Sequence, residues 1–365
     1  MGELGPEFRG PLLGVTPVRD DQWRSLVQLV SRGSTIPQVG LLVDSPWVPG
    51  WYGITIREYL ASERLWLQAN LKAVEQFPEV WFIPGFWSEF GMCTEPSAFG
   101  GRCRFAANDF PHIEPCLKSW AEVPHINPPD CTRDGLLPFV VERLKLTESD
   151  MIQRGHRVRF AVSRGPLNIG SYLLGQSEFL LGLKAEKELA HLLLRLVTDF
   201  IKDWIRYQKE VFPSIDGMLI LDDLIGFVGP KDFQEFVVPY FTEIFGSINV
   251  SVRMLHNDAY GLITARHLEE MKVNVFHFSC DHTFEQVRSL CGPNVVLMGN
   301  IKPRDVLAGG TVEDLRREIC NAWSTAGDRT RILWSAGGGV PPNVSSEKIR
   351  VFVEELQYLA QAEKA

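Results

Sequence analysis

The chain has 365 residues, 45% hydrophobic and 22% charged, which excludes wholesale disorder. Its net charge of −8 carries no long run of one sign, which argues against a protein that grips a nucleic-acid backbone. No apolar run approaches the roughly 18 residues of a membrane span, and the opening MGELGPEFRG lacks the basic and apolar regions of a signal peptide. A cytoplasmic protein without membrane contact is therefore expected.

Residues 1–38 read as an N-terminal helical extension, with a helix around Asp21–Ser31. From 39 to 365 short apolar runs alternate with amphipathic stretches. The predicted strands are Val39–Val43, Val80–Pro84, Arg157–Val162, Gly217–Leu221, Ser251–His256, Asn274–Phe278, Val295–Gly299 and Arg331–Ser335. Such runs, apolar nearly throughout, suit parallel strands buried on both faces. The predicted helices are Glu63–Gln76, Leu136–Arg154, Ala185–Val211, Pro230–Phe245, Thr264–Met271, Thr283–Leu290, Val312–Ser324 and Ser346–Ala362. In the third of these, Leu189, Leu193, Leu196, Phe200 and Trp204 recur at three- and four-residue intervals. Eight strand–helix units predict a single (βα)8 TIM barrel of the α/β class. An open doubly wound sheet is the alternative, but DSPWVPGWYG follows the first strand where a dinucleotide fold has GxGxxG.

The stretch 91–135, rich in Pro, Gly and Cys, is long for a loop and reads as a lid-like insertion over the barrel mouth. The seven cysteines form no CxxC pair, so neither a disulfide framework nor a zinc ribbon is indicated. Ten Trp and 22 Phe suggest either a crowded core or a pocket for a flat apolar ligand.

In a barrel, polar residues at strand C-termini converge on one mouth. Here they are Asp44, Glu89, Arg164, Asp222, Asp223, His256, Asp258, His277, Ser279, Asn300 and Ser335, before the GGGVPP turn. His256 and Asp258, one residue apart, can both face the mouth. Asp222 and Asp223 offer carboxylates one strand earlier, and Glu235 adds another if its helix leans inward. A histidine with carboxylates suits zinc with an open coordination position. The expected metal set is His256, Glu235, Asp222 and Asp258. The competing reading has His256 bonding Asp222 and ordering the mouth without metal. GGGVPP fits a phosphate cradle or a tight turn equally well. His112, His125, His156, His191 and His267 read as surface or capping residues.

The blocks SRGPLNIGSYLLGQSEFLLGL, LILDDLIGFVGPKDFQEFVVPYFTEIF, MLHNDAYG, VVLMGNIKPRDVLAGGTVEDL and SAGGGVPPNVSSEKI resemble successive segments of the uroporphyrinogen decarboxylase superfamily, over most of residues 40–360. The resemblance implies a (βα)8 barrel. It also implies a choice between two branches. The porphyrinogen decarboxylases grip substrate carboxylates with arginines in a segment of the type RQAGRY, whereas this chain has DSPWVPGWYG, and Glu89 in FWSEFG stands near their essential carboxylate. The other branch is the zinc-dependent, corrinoid-linked methyltransferases. Thiol-activating members hold zinc with His-x-Cys and a second Cys, but here those positions read His256-x-Asp258 and Gly338. Ether-cleaving members use two glutamates and a histidine. Glu235 and His256 reproduce their spacing, while the first glutamate falls on Ile220, so that Asp222 or Asp223 would substitute.

This branch implies a methyltransferase that moves methyl from a methoxyaromatic or similar O-methyl substrate to the cobalt of a partner corrinoid (cobalamin) protein. Zinc would act on the ether oxygen. Trp47, Trp51, Tyr52, Phe86 and Trp87 would sandwich the ring, with Asn300 also at the substrate. Glu89 or Asp223 would protonate the leaving group. Two alternatives stand beside it: a decarboxylase of a small or tetrapyrrole acid using Arg164 as carboxylate clamp, and a non-catalytic corrinoid- or tetrapyrrole-binding barrel. A homodimer is left open.

Overall fold

A computed structural model describes residues 18–43 and 46–364, so Asp44 lies outside the described residues. Eight parallel strands curl into a barrel. In chain order they are β1 (Gln38–Leu42), β2 (Val80–Ile83), β5 (Phe160–Arg164), β6 (Gly217–Leu221), β7 (Val252–Asn257), β8 (Val275–Phe278), β9 (Val296–Ile301) and β10 (Ile332–Ala336). A small antiparallel hairpin, β3 (Arg102–Arg104) and β4 (His112–Glu114), intervenes after β2. The strands pair in the order β2-β1-β10-β9-β8-β7-β6-β5. Among the described residues no ladder joins β2 to β5, and a cleft between them is lined by residues of both, including Trp81, Ile83 and Phe160.

Strand alternation sorts the side chains. Phe160, Leu219, Met254, Val275, Val296, Met298 and Leu333 form an inner cluster, while Ala161, Ile220, Leu255, Phe276, Leu297 and Trp334 face the helices in a second, larger one. Leu26 and Leu29, from the helix Val18–Arg32, join the inner cluster. That helix therefore plugs the barrel from below, each buried leucine contributing about 1.5–3 kcal/mol. The opposite end, the mouth, is left to the polar residues.

Most predicted elements are present within a residue or two, and the exceptions have local causes. Pro239 has no N–H to continue a helix, and the expected Pro230–Phe245 divides into Pro230–Phe236 and Val238–Phe245. The expected Ala185–Val211 is present as Lys187–Val211, preceded by a separate helix, Gln176–Ala185, that the periodicity does not predict. The expected Thr264–Met271 helix is only a 3-10 turn, Thr264–His267. Strand β5 begins three residues later than predicted and ends on Arg164. Among the described residues no helix is long and apolar enough to cross a membrane.

The segment 91–135 is built rather than loose. It packs through Trp120, stacked on Phe179 at 5.9 Å, and through Cys116 and Leu117, whose N–H groups donate to Leu173 O.

Candidate active site at the barrel mouth

The period-2 alternation that buries Leu219 and Met254 inward carries forward to the strand ends. It points Asp223, His256, Asp258 and His277 into the mouth, and turns Asp222 outward toward the surrounding helices. The structure matches this parity. Asp223, His256 and Asp258 each offer a ligand atom, all within 4.8 Å of one another. His256 Nε2 stands 3.7 Å from Asp223 Oδ1 and 4.0 Å from Asp258 Oδ2. The histidine is buried, at 8% exposure, whereas the two carboxylates are 43% and 40% exposed, so the cluster has a dry floor and an open side.

Hydrogen bonding sets the protons on this cluster. His277 Nε2 lies 2.8 Å from Ala336 O, a carbonyl that can only accept, so Nε2 carries the hydrogen. Full burial, aided by the neighbouring His256, lowers the His277 pKa to about 3, and its ring is neutral. Its Nδ1 is therefore an acceptor, 2.9 Å from His256 Nδ1, which must donate. His256 Nε2 is then the ring nitrogen turned toward the two carboxylates. Asp223 Oδ1 accepts the Asp258 N–H at 3.2 Å, but among the described residues no Lys or Arg forms an ion pair with either carboxylate. Burial in the mouth, opposed by His256 and reinforced by the like charge of Asp258, pushes Asp223 up to about 6. One imidazole nitrogen and two carboxylate oxygens converging in this way fit a divalent cation.

The donor chemistry fits zinc. One imidazole and two carboxylates leave a fourth position open, as at catalytic zinc sites, and the ring is oriented through its other nitrogen. Tetrahedral ligands about 2.1 Å from zinc stand roughly 3.4 Å apart, so the observed 3.7 and 4.0 Å ask for small inward shifts. A Cβ on Gly338 would lie 3.0 Å from Asp258 Oδ2, so the position where a second thiolate was considered does border the cluster.

Two members of the expected metal set lie elsewhere. Asp222 is fully buried, and its Oδ2 accepts the N–H groups of Leu167 at 2.9 Å and Asn168 at 3.2 Å, at the start of the helix Pro166–Leu174. Burial, with the opposing pull of Asn168 N–H, leaves its pKa up at about 8. This contact accounts for the glycine in SRGPL: a Cβ on Gly165 would sit 2.4 Å from Asp222 Oδ2. Glu235 does not lean inward. It sits on the outer face, 2.8 Å from Lys187 and 3.4 Å from His191. A helix one layer outside the strands cannot bring it to the mouth.

Arg164 and Glu89 do meet, but as partners of each other. Arg164 Nη2 donates to Glu89 Oε2 at 3.1 Å and Nη1 to Glu95 Oε2 at 3.1 Å, with side-chain exposures of 9%, 2% and 3%. Glu95 also accepts the Arg164 backbone N–H at 3.0 Å. Burial works against the guanidinium charge, yet Glu95 and Glu89 together hold its pKa above the usual value. Tyr172, largely buried, feels the charges of both groups. Burial raises its phenol pKa, Arg164 pulls it down, and Asp223 and Asp222 push it up again.

The aromatic residues expected to sandwich a ring fall into separate packing groups. Trp47 is in the core, stacked on Trp51 at 5.2 Å, with Nε1 donating to Val344 O. Trp51 Nε1 donates to Ser346 Oγ, and Lys72 lies over both Trp51 and Tyr52. Phe86 packs on Trp66 and His156, while Trp87, also buried, gives its carbonyl to Trp66 Nε1. Asn300 Nδ2 donates to His282 O at 2.7 Å, and its buried Oδ1 has no partner. Sequence reasoning gave no role to His277, although its strand parity points it at His256. It missed Glu95 and Tyr172, whose positions depend on the insertion and on a helix that was not predicted.

The family model described as Uroporphyrinogen decarboxylase (URO-D) matches residues 52–358. Among curated proteins, a uroporphyrinogen decarboxylase of Thermus thermophilus is 28% identical over 61% of this chain and 65% of its own length. That of Vibrio campbellii is 24% identical over 74% and 77%. Among solved structures, a methyltransferase from Methanosarcina mazei superposes with a TM-score of 0.75 at 17% identity, covering 92% of this chain and 97% of that one. A B12-independent methionine synthase from Shewanella sp. W3-18-1 gives 0.56 at 11% identity, covering 91% and 98%. At these identities the two structures speak to the fold alone. With the family model matching most of its length, the chain belongs to the uroporphyrinogen decarboxylase (URO-D) family.

Proposed function

We propose that this URO-D family enzyme is a zinc-dependent methyltransferase. It would move a methyl group from a methoxyaromatic or similar O-methyl substrate to the cobalt of a partner corrinoid protein docked at the mouth. The observation that carries the reading is the convergence of His256 Nε2 with the Asp223 and Asp258 carboxylates, a donor set suited to a divalent ion.

Asp223, His256 and Asp258 would hold the metal, and His277 would orient His256 through its Nδ1. Zinc there would supply a Lewis acid for the departing oxygen, and the corrinoid would supply the methyl acceptor. The chain's own groups do the rest. Tyr172, protonated at neutral pH, lies near Asp223 and can donate a proton to the phenolate as it leaves. Glu89 and Glu95 hold Arg164, and this locked group walls the mouth on the β5 side.

Decarboxylation is the second reading, favoured by the curated relatives. Against it, the two glutamates occupy Arg164, which leaves less of it for a substrate carboxylate. Metal analysis of the purified protein and of His256→Ala tests the first reading, together with methyl transfer to a reduced corrinoid protein from a panel of methoxyaromatics. We expect one zinc per chain, lost in the variant, with transfer dependent on it. Absence of zinc from the unmodified protein, or carbon dioxide release from candidate acids without methyl transfer, would overturn it.

A further inference from the structure

An apolar groove of about 440 Å³ lies outside the mouth, between the insertion and two helices, Ile56–Ala61 and Leu137–Gln153. Its walls are Leu60, Phe90, Phe105, Phe139 and Leu146, with Phe90 edge-on to Phe105 at 6.4 Å. None of its residues belongs to either charged group at the mouth. On Leu137–Gln153, Phe139, Arg143 and Leu146 recur at four- and three-residue spacing and so share a face. A surface helix normally turns polar side chains toward water, yet Phe139 and Leu146 are 61% and 62% exposed.

The same face carries a buried cation without an anion. Arg143 is 6% exposed. Its Nη2 donates to Leu60 O at 2.6 Å and its Nη1 to Glu89 O at 3.3 Å, and the guanidinium carbon lies 4.6 Å from the centre of the Phe90 ring. Among the described residues no carboxylate forms an ion pair with it, and its Nε–H has no acceptor. Glu63 and Glu142 line the groove but are exposed, and Glu142 is turned to Lys145 at 3.8 Å. Arg57, also exposed, adds a second cation to the lining. Arg164, buried to a similar degree, shows what such a charge ordinarily has: a glutamate on either side. Two carbonyl dipoles and a ring face supply Arg143 with only part of that.

We propose that this groove is a binding site for a small monocarboxylate with an apolar body, a fatty acid or an aryl acid, whose carboxylate pairs with Arg143 while its body covers Phe139 and Leu146. The carboxylate supplies the missing anion through charge-assisted hydrogen bonds, with the Nε–H among the donors. The apolar walls hold the remainder, in a volume within the range of small-molecule pockets. Because Arg143 Nη1 also holds the Glu89 carbonyl, an occupied groove bears on the backbone behind the Glu89–Arg164–Glu95 wall.

Calorimetric titration of the full chain with octanoate and with naphthoate, each set against its uncharged counterpart, octanol or naphthol, tests this. We expect one site per chain for at least one of the acids, bound at least about tenfold more tightly than the matching alcohol. Binding of octanoate alone marks a fatty-acid site, and of naphthoate alone an aryl-acid site; either supports the proposal. Arg143→Met should weaken binding at least about tenfold. So should Leu146→Glu, a change at an exposed position that leaves Arg143 and the core in place, whereas His256→Ala should leave binding unchanged. Equal affinity for acid and alcohol, no binding of either acid at millimolar concentration, or loss of binding in His256→Ala would overturn the proposal. A chain that binds no acid but self-associates, and becomes monomeric in Leu146→Glu, would replace it with a protein interface.

Discussion

Two charged groups share the barrel mouth and are built on opposite plans. In the Glu89–Arg164–Glu95 group the chain supplies its own cation, the guanidinium reaches a carboxylate on either side at 3.1 Å, and all three side chains are at most 9% exposed. In the Asp223–His256–Asp258 group no Lys or Arg of the described residues joins in, and the two carboxylates stand 3.7 and 4.0 Å from the imidazole and open to solvent. Buried ions persist where their partners are present. The first group is therefore complete, and the second is complete only with a cation or a proton. Ionisable residues at a strand end are not alike: what distinguishes a wall from a site is whether the partner is already there.

The largest effect should come from breaking the complete group. Arg164→Met leaves two carboxylates buried without their cation and should cost about 3–5 kcal/mol in chemical denaturation. A loss under about 1 kcal/mol would mean that the group is not structural. Next, Asp223→Asn and Asp258→Asn should each weaken zinc binding by at least about tenfold in a metal titration, and His277→Phe, which removes the orienting acceptor, by about 10–100-fold. Normal affinity in Asp223→Asn would place the metal elsewhere.

An acid-stability profile sharpens the proton assignment. The His277 pKa is depressed, so its stabilising contribution is present above the unfolded value near 6.5 and is lost as pH falls toward about 3. The native state binds fewer protons in that window, and stability should decline by up to about 1.4 kcal/mol per pH unit. His277→Phe should show a shallower slope over the same window; an unchanged slope would remove His277 as its cause. Smallest of all, Glu235→Gln breaks only a surface pair. It should leave both the denaturation midpoint and the metal titration essentially unchanged. Lost zinc in that variant would restore the role that spacing suggested for it.

Much of the barrel was legible in the chain. Buried parallel strands must be apolar almost throughout, so β6 is predicted to the residue and Ser346–Ala362 as a helix without correction. The errors cluster where a single residue reorganises the local chain, as Pro239 does. At the site, strand parity was available but unused. Asp222 and Asp223 look equivalent as a pair of letters, yet one faces helix N–H groups and the other the mouth. Glu235 failed for a different reason. Distance along a sequence says nothing of which layer a helix occupies, and this one lies outside.

What the sequence alone determined is the alternation of buried strands and amphipathic helices, and hence the barrel and the ring of ionisable residues at its rim. Hydrophobic periodicity is a local property, written residue by residue. What only the tertiary structure decided is who partners whom: Glu95, carried in by an insertion, joins Arg164 across 69 positions, and Ala336 sets the His277 proton across 59. Charge and proton placement depend on distances between elements far apart in the chain, and those exist only once the core has packed.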